Sequence, residues 1–157
     1  MLFLCFQLGT ERYVVDTKQI IEVLPLVTLR VSPHAPRGVA GAFGYRGGVA
    51  PVLDFGEMAR GQPCARRFST RILMLDYPIG GVRRPLGIIV ERATGTMELE
   101  DKDFLESGFR TPLAPYLGKV VKDEHRLIQS LDVGRLLPEG MTELLFGVEG
   151  ERSGGGN

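Results

Sequence analysis

Apolar positions fall along this chain in short runs, rich in β-branched residues and bounded by Gly or Pro, a pattern of strands rather than long helices. Residues 2–8 and 13–15 flank Gly9-Thr10-Glu11-Arg12, which predicts a hairpin turning at the glycine. Asp16 and Thr17 carry side-chain oxygens able to cap one helical turn through Lys18 and Gln19. Residues 20–24 and 26–31 read as strands with Pro25 between them, because proline cannot donate to a ladder. Residues 38–45 and 49–53 read as two more, joined by Arg46-Gly47-Gly48, a tight turn that needs glycine for positive φ. Asp54 then caps a short helix over 55–60, and 61–67 is the most linker-like internal stretch.

The second half repeats this style. Residues 71–77 predict a strand, 78–84 a Gly-rich hairpin loop, and 86–91 and 93–99 two further strands. Residues 101–104 form a capped turn and 105–115 a loop; 116–122 and 126–131 then make a hairpin around Asp123-Glu124-His125. Asp132 caps a short helix over 133–137, Pro138-Glu139 opens a last helix ending near Phe146, and the polar, Gly-rich end is a disordered tail. About ten short strands with little helix give an all-β fold. Two groups of about five strands, each with one small helix, predict two small barrels, whose closure hides edges that invite aggregation.

Composition narrows the function. At 157 residues and 43% hydrophobic, the chain has enough core for a folded domain and too much for a disordered one. Its 19 Lys+Arg balance 19 Asp+Glu, and neither half is polybasic, which argues against capture of nucleic acid or an anionic membrane by bulk charge. Cys5 and Cys64 are too few and too distant for a disulfide framework, so a reducing compartment is expected. The apolar start is broken at Gln7 and lacks a basic lead, so neither a signal peptide nor a span of about 20 apolar residues is read there. The expected location is the cytoplasm.

Catalytic chemistry finds little footing. Gly80-Gly81 lies in a hairpin and lacks the Lys-Ser/Thr and helix of a phosphate loop, and no His/Cys/Asp cluster has zinc spacing. His34 lies between prolines and His125 in a charged turn, both as solvated loop residues. Ser69, Ser107 and Ser130 lack the glycine-flanked elbow of an activated serine, and Glu100, Asp101 and Asp103 cap a turn rather than enclose an ion. Arg66, Arg67, Arg71, Arg83 and Arg84 read as solvated charges, since no aromatic stacking platform interleaves them. No enzyme, metal or cofactor is expected.

Residues 20–55 carry the densest information. Ile20-Ile21-Glu22-Val23 precedes a proline-bearing stretch, and Gly41-Ala42-Phe43-Gly44-Tyr45-Arg46-Gly47-Gly48-Val49-Ala50-Pro51-Val52-Leu53-Asp54-Phe55 follows. This resembles the I-x-E-V/I strand and G-V-x-N-L-R-G-x-V-x-P-V-x-D-L signature of the CheW-like family, chemotaxis coupling proteins that scaffold receptors to a histidine kinase. Phe6 to Tyr13 is similar to the family's opening hairpin, and Leu86-Gly87-Ile88-Ile89-Val90-Glu91 to its G-I-x-V-D strand. Tyr116-Leu117-Gly118 with residues 127–132 looks like its closing hairpin and helix cap.

The resemblance implies two SH3-like five-stranded barrels packed side by side, with short capping helices, a C-terminal helix and no catalytic activity. It implies a single domain over 1–147, the first barrel at about 9–67, the second at about 68–137 plus the N-terminal strand, and a disordered tail at 148–157. By the same resemblance a methyl-accepting chemoreceptor docks between the barrels near Ile20, Glu22, Gly41, Arg46 and Gly47. A CheA-type kinase regulatory domain packs end to end on the second barrel, at Leu86, Ile88, Val90 and Ala93. The membrane is reached only through the receptor, and nucleic acid is not a partner.

The residues also have readings of their own. Arg46 presents a planar donor fork at a turn tip, for Asp54 in its own loop or for a partner. Gly47 fits positive φ and admits close backbone approach, Asp54 caps the following helix, and Pro51 suits an unpaired edge. Ile20, Val23, Leu24 and Leu29 are core by period, although an edge strand that carries Glu22 also offers an apolar stripe. Three departures mark the chain: Gly44-Tyr45 stands where the family has Asn-Leu, Glu91 where it has Asp, and Arg92 where a small residue is usual. They point to a specialised paralogue serving an array other than flagellar chemotaxis. The rivals are an SH3-like nucleic-acid or peptide module using Arg66, Arg67 and Arg71, and an enzyme using His125 with a nearby acid.

Overall fold

The structure is a computed structural model describing residues 1–108, 111–138 and 140–147. Glu139 and the expected tail at 148–157 lie outside the described residues. In chain order the strands are β1 (Leu2–Leu8), β2 (Glu11–Asp16), β3 (Ile20–Pro25), β4 (Val39–Tyr45) and β5 (Gly48–Asp54). They continue with β6 (Arg71–Ile79), β7 (Val82–Glu98), β8 (Phe104–Leu105), β9 (Leu117–Asp123) and β10 (Arg126–Leu131). Two α-helices, α1 (Phe55–Arg60) and α2 (Met141–Phe146), join them, with single 3-10 turns at Thr17–Gln19, Asp101–Asp103 and Val133–Arg135.

The 17-residue strand β7 belongs to two sheets. Its first part pairs antiparallel with β6 and parallel with β5, up to Arg71↔Val90 and Asp54↔Ile89. Its last part pairs antiparallel with β1, from Cys5↔Gly95 to Leu2↔Glu98. Between the two the register slips, and Arg92 takes the left-handed φ of 52°. This bulge bends the strand so that it leaves one set of neighbours and joins another. Residues 86–91 and 93–99 are therefore one strand with a kink, where the apolar pattern predicted two.

One strand group holds β3, β4, β5, β6 and the start of β7; the other holds β1, β2, β8, β9, β10 and its end. The expected barrel boundaries separated β1 from β2 and placed β6 in the second barrel. Pairing instead keeps β2 between β1 and β10, and β6 between β3 and β7. Short connections explain both: a hairpin binds β2 to β1, and another at Gly80-Gly81 binds β6 to β7. That second turn needs only those two glycines, at φ 48° and 83°, so strand replaces most of the loop expected at 78–84. Residues 26–31 make no strand beyond a single bridge, Arg30↔Ala42, because Pro25 ends the β3 ladder. Asp132 makes no side-chain cap; it pairs with Arg135 Nε at 3.6 Å.

One core cluster runs through both groups, from Phe6 and Val15 to Val52, Ile72, Ile89 and Leu131. Phe55, the first residue of α1 and 1% exposed, is its joint. Its ring lies 5.3 Å from Phe6, 4.8 Å from Tyr13 and 6.0 Å from Tyr116, all edge-on. Edge-on ring pairs add about 0.5–1.5 kcal/mol each beyond area burial, so this helix start fastens one strand group to the other. Among the described residues no helix is long and apolar enough to cross a membrane.

Candidate functional site

The β4–β5 hairpin closes at the Tyr45↔Gly48 pair, leaving Arg46 and Gly47 at its tip with φ of 49° and 81°. Two consecutive positive φ values define the primed turn whose twist suits paired strands. A Cβ on Gly47 would meet nothing within 4 Å among the described residues, so this glycine serves the turn. Arg46 has no such freedom: an L-residue held in the left-handed region costs about 1–2 kcal/mol.

The held arginine meets two neighbours. Its guanidinium carbon lies 5.1 Å from the Tyr45 ring centroid, and its Nη2 lies 3.5 Å from Glu22 Oε2. Tyr45 donates its hydroxyl to the same oxygen at 2.6 Å. Desolvation, and then the bond to Glu22, raise the Tyr45 pKa above its ordinary value, so the hydroxyl stays a donor. The Glu22 and Arg46 side chains remain 37% and 61% exposed, so their pairing adds at most about 1 kcal/mol to stability. They are held in place, yet open to a partner.

Glu22 stands on β3, which among the described residues pairs with β6 alone and ends the sheet. Ile21, Val49 (75% exposed), Pro85 and Phe146 line an open groove of about 400 Å3 running past Tyr45, Arg46 and Gly47. Arg84 lines it as well. An apolar groove with fixed polar groups at one side is the shape that accepts an amphipathic helix.

Asp54 is arranged in the opposite way. It is 1% exposed; its Oδ1 accepts from the Glu57 amide at 3.2 Å, as the predicted cap, and from the Cys64 amide at 3.0 Å. Arg66 Nη1 lies 3.6 Å from its Oδ2. Glu91, 4% exposed, accepts from the Ala65 amide at 2.7 Å and pairs with Arg60 at 3.4 Å. Burial, and then the Asp54 charge, push the Cys64 thiol up to about 12, which leaves it protonated and unreactive. The stretch read as linker-like, 61–67, is thus clamped by two buried carboxylates. Within the fold Arg46 pairs with Glu22 rather than with Asp54, whose ion-pair partner is Arg66.

Of the expected receptor residues, Glu22 and Arg46 come together and Gly47 sits beside them. Ile20 is half-buried against the core. Gly41 is buried, and a Cβ there would lie 2.6 Å from the Arg30 carbonyl, so it permits close packing and offers no surface. These residues share one strand group, and α2 lies alongside the hairpin tip. The expected kinase surface is corrected. Leu86, Ile88 and Val90 are 0%, 1% and 0% exposed, because the start of β7 is enclosed between β5 and β6; only Ala93 is half-exposed. A continuous apolar run reads equally as a doubly covered strand, and here it is one.

Tyr45, Val49, Arg84 and Phe146 line the groove without being among the residues expected there from sequence. Tyr45 had a signal, as a departure from the family pattern. Phe146 had none, because it arrives from the far end of the chain. In the arginine patch, Arg66 is tied to Asp54 and the Cys64 carbonyl, and Arg71 donates to the Phe68 and Thr70 carbonyls. Both brace their own loop. His34 and His125 are exposed, and no group of three or more metal-ligating side chains is found among the described residues.

Residues 2–141 match the CheW-like domain family. The chain belongs to that family. This CheW-like chain is 40% identical over 52 residues to protein FrzA of Myxococcus xanthus, covering 33% of this chain and 32% of that protein. It is 24% identical over 103 residues to chemotaxis protein CheW of Rhizobium meliloti (strain 1021), covering 64% and 62%. It therefore spans less than two thirds of either relative. The crystal structure of scaffolding protein TtCheW from Thermoanaerobacter tengcongensis matches with a TM-score of 0.71 at 20% identity, over 83% of this chain and 82% of that one. That likeness identifies the two strand groups as SH3-like barrels.

Proposed function

We propose that this CheW-like chain is a non-catalytic, cytoplasmic adaptor coupling a methyl-accepting chemoreceptor to a CheA-type histidine autokinase. The observation that carries this reading is Arg46: an arginine kept at φ 49° on a hairpin tip, braced by Tyr45 and Glu22 and left 61% exposed beside an apolar groove. The turn would accept asparagine or glycine at this position, and arginine there adds an exposed planar donor fork suited to recognition. The receptor's helical tip lays its apolar stripe along Ile21, Val49 and Phe146, while Arg46 and Glu22 fix its orientation. The kinase regulatory domain takes a different face. Each contact is weak alone and gains strength from repetition in an array.

Tyr45 in place of the family's leucine gives Glu22 a hydroxyl partner that leucine lacks, which supports service in a specialised, non-flagellar array. Such a chain fails to restore swimming to a strain lacking its flagellar coupling protein; full restoration would refute the specialisation. The adaptor reading is tested by sedimenting receptor-bearing vesicles with a purified kinase regulatory domain. The kinase domain pellets only when this chain is added. A kinase domain left in the supernatant with the chain present contradicts the reading.

A further inference from the structure

Arg83 and Arg84 are consecutive on β7, so their side chains leave the sheet on opposite faces. Arg83 is answered within the fold, by the Asp76 carbonyl at 3.0 Å and its carboxylate at 3.8 Å. Arg84 is exposed and lines the groove with Pro85, Val49 and Phe146, and no hydrogen bond or ion pair answers it among the described residues. Arg46 across the same groove has Glu22. The groove therefore holds one compensated cation and one uncompensated cation around apolar walls.

We infer that Arg84 is a second recognition residue, selecting a partner helix that carries a carboxylate beside its apolar stripe. The inference rests on the adaptor reading and adds the partner's charge pattern to it. A helix seated against Phe146 and Val49 strips water from Arg84. Removing a cation from water is unfavourable unless an opposite charge replaces the lost hydration. An acidic flank is rewarded, and a neutral or basic one is rejected at the same point. Arg46, already paired, orients either kind of helix; Arg84 distinguishes between them.

The test measures affinity for the receptor's cytoplasmic helical-tip fragment, and for that fragment with its exposed carboxylates changed to amides. Arg84→Glu weakens binding to the acidic fragment roughly tenfold and Arg84→Gln roughly threefold. Arg126→Glu, the same charge change on an exposed residue of β10, leaves binding unchanged. The amide fragment binds the unaltered chain more weakly and no longer separates it from Arg84→Gln, as coupling between two contacting groups requires. Circular dichroism confirms that each variant is folded. If Arg84→Glu binds like the unaltered chain while Arg46→Glu does not, the role of Arg84 is overturned and the adaptor reading stands. If Arg84→Glu and Arg126→Glu weaken binding equally, the effect is one of net charge and the inference also falls. If neither Arg84→Glu nor Arg46→Glu changes binding, the groove reading itself fails.

Discussion

Glu22 and Asp54 stand on the same strand group, each within reach of an arginine, yet they do opposite work. Glu22 is open to solvent and shares one oxygen between Tyr45 and Arg46. Asp54 is sealed and spends both oxygens on the amides that bind α1 and the 62–66 stretch to the barrel. Both belong to the stretch that most resembles the family. A shared motif thus combines residues that build the scaffold with residues the scaffold presents, and burial separates the two.

Asp54→Ala has the largest expected effect. It leaves the buried Cys64 amide without an acceptor and α1 without its cap, for a loss of about 2–4 kcal/mol in denaturant unfolding. Receptor affinity of the folded fraction is unchanged. A small stability loss with lost binding would reverse the roles assigned to the two carboxylates.

Alkaline pH acts on the sealed side next. The folded Cys64 pKa of about 12 lies above its ordinary 9.0, so the favourable contribution is complete below about pH 9 and is lost as pH climbs to 12. The four tyrosines 13, 45, 77 and 116, all raised from 10.0, act in the same direction at higher pH. Thermal midpoints therefore fall above pH 9, and Cys64→Ala flattens the first part of the fall. Rapid alkylation of Cys64 in the native protein at pH 8 would show that the thiol is not sealed.

Two smaller effects fall on the open side. Tyr45→Phe removes the hydroxyl from Glu22 and costs about 1 kcal/mol, with a measurable loss of receptor affinity. Arg46→Asn supplies the residue a primed turn prefers, so stability stays within about 0.5 kcal/mol of the original or rises, while binding falls. Stability and binding that decline together at this position would make Arg46 a structural residue.

Much of the fold was legible because its signals are local. Gly9, the Arg46-Gly47 turn and the Asp54 cap each act on residues a few positions away, and all are found where the pattern places them. The two barrels were legible in kind but not in membership, because the crossing of β7 depends on the Arg92 bulge and on partners distant in sequence. The same limit applies to the site. Glu22 and Arg46 were visible as motif residues, but their meeting requires β3 to lie beside the β4–β5 hairpin. Leu86, Ile88 and Val90 were misread because an apolar strand looks alike whether one face or both are covered.

The proposed receptor site is read out by amide chemical-shift mapping of the isotopically labelled chain with the receptor tip fragment. The expected perturbations cluster at Ile21, Glu22, Tyr45 to Val49, Arg84 and Phe146, with Cys64 and Ala65 silent. Shifts concentrated on residues 61–70, with the hairpin tip unaffected, would contradict it.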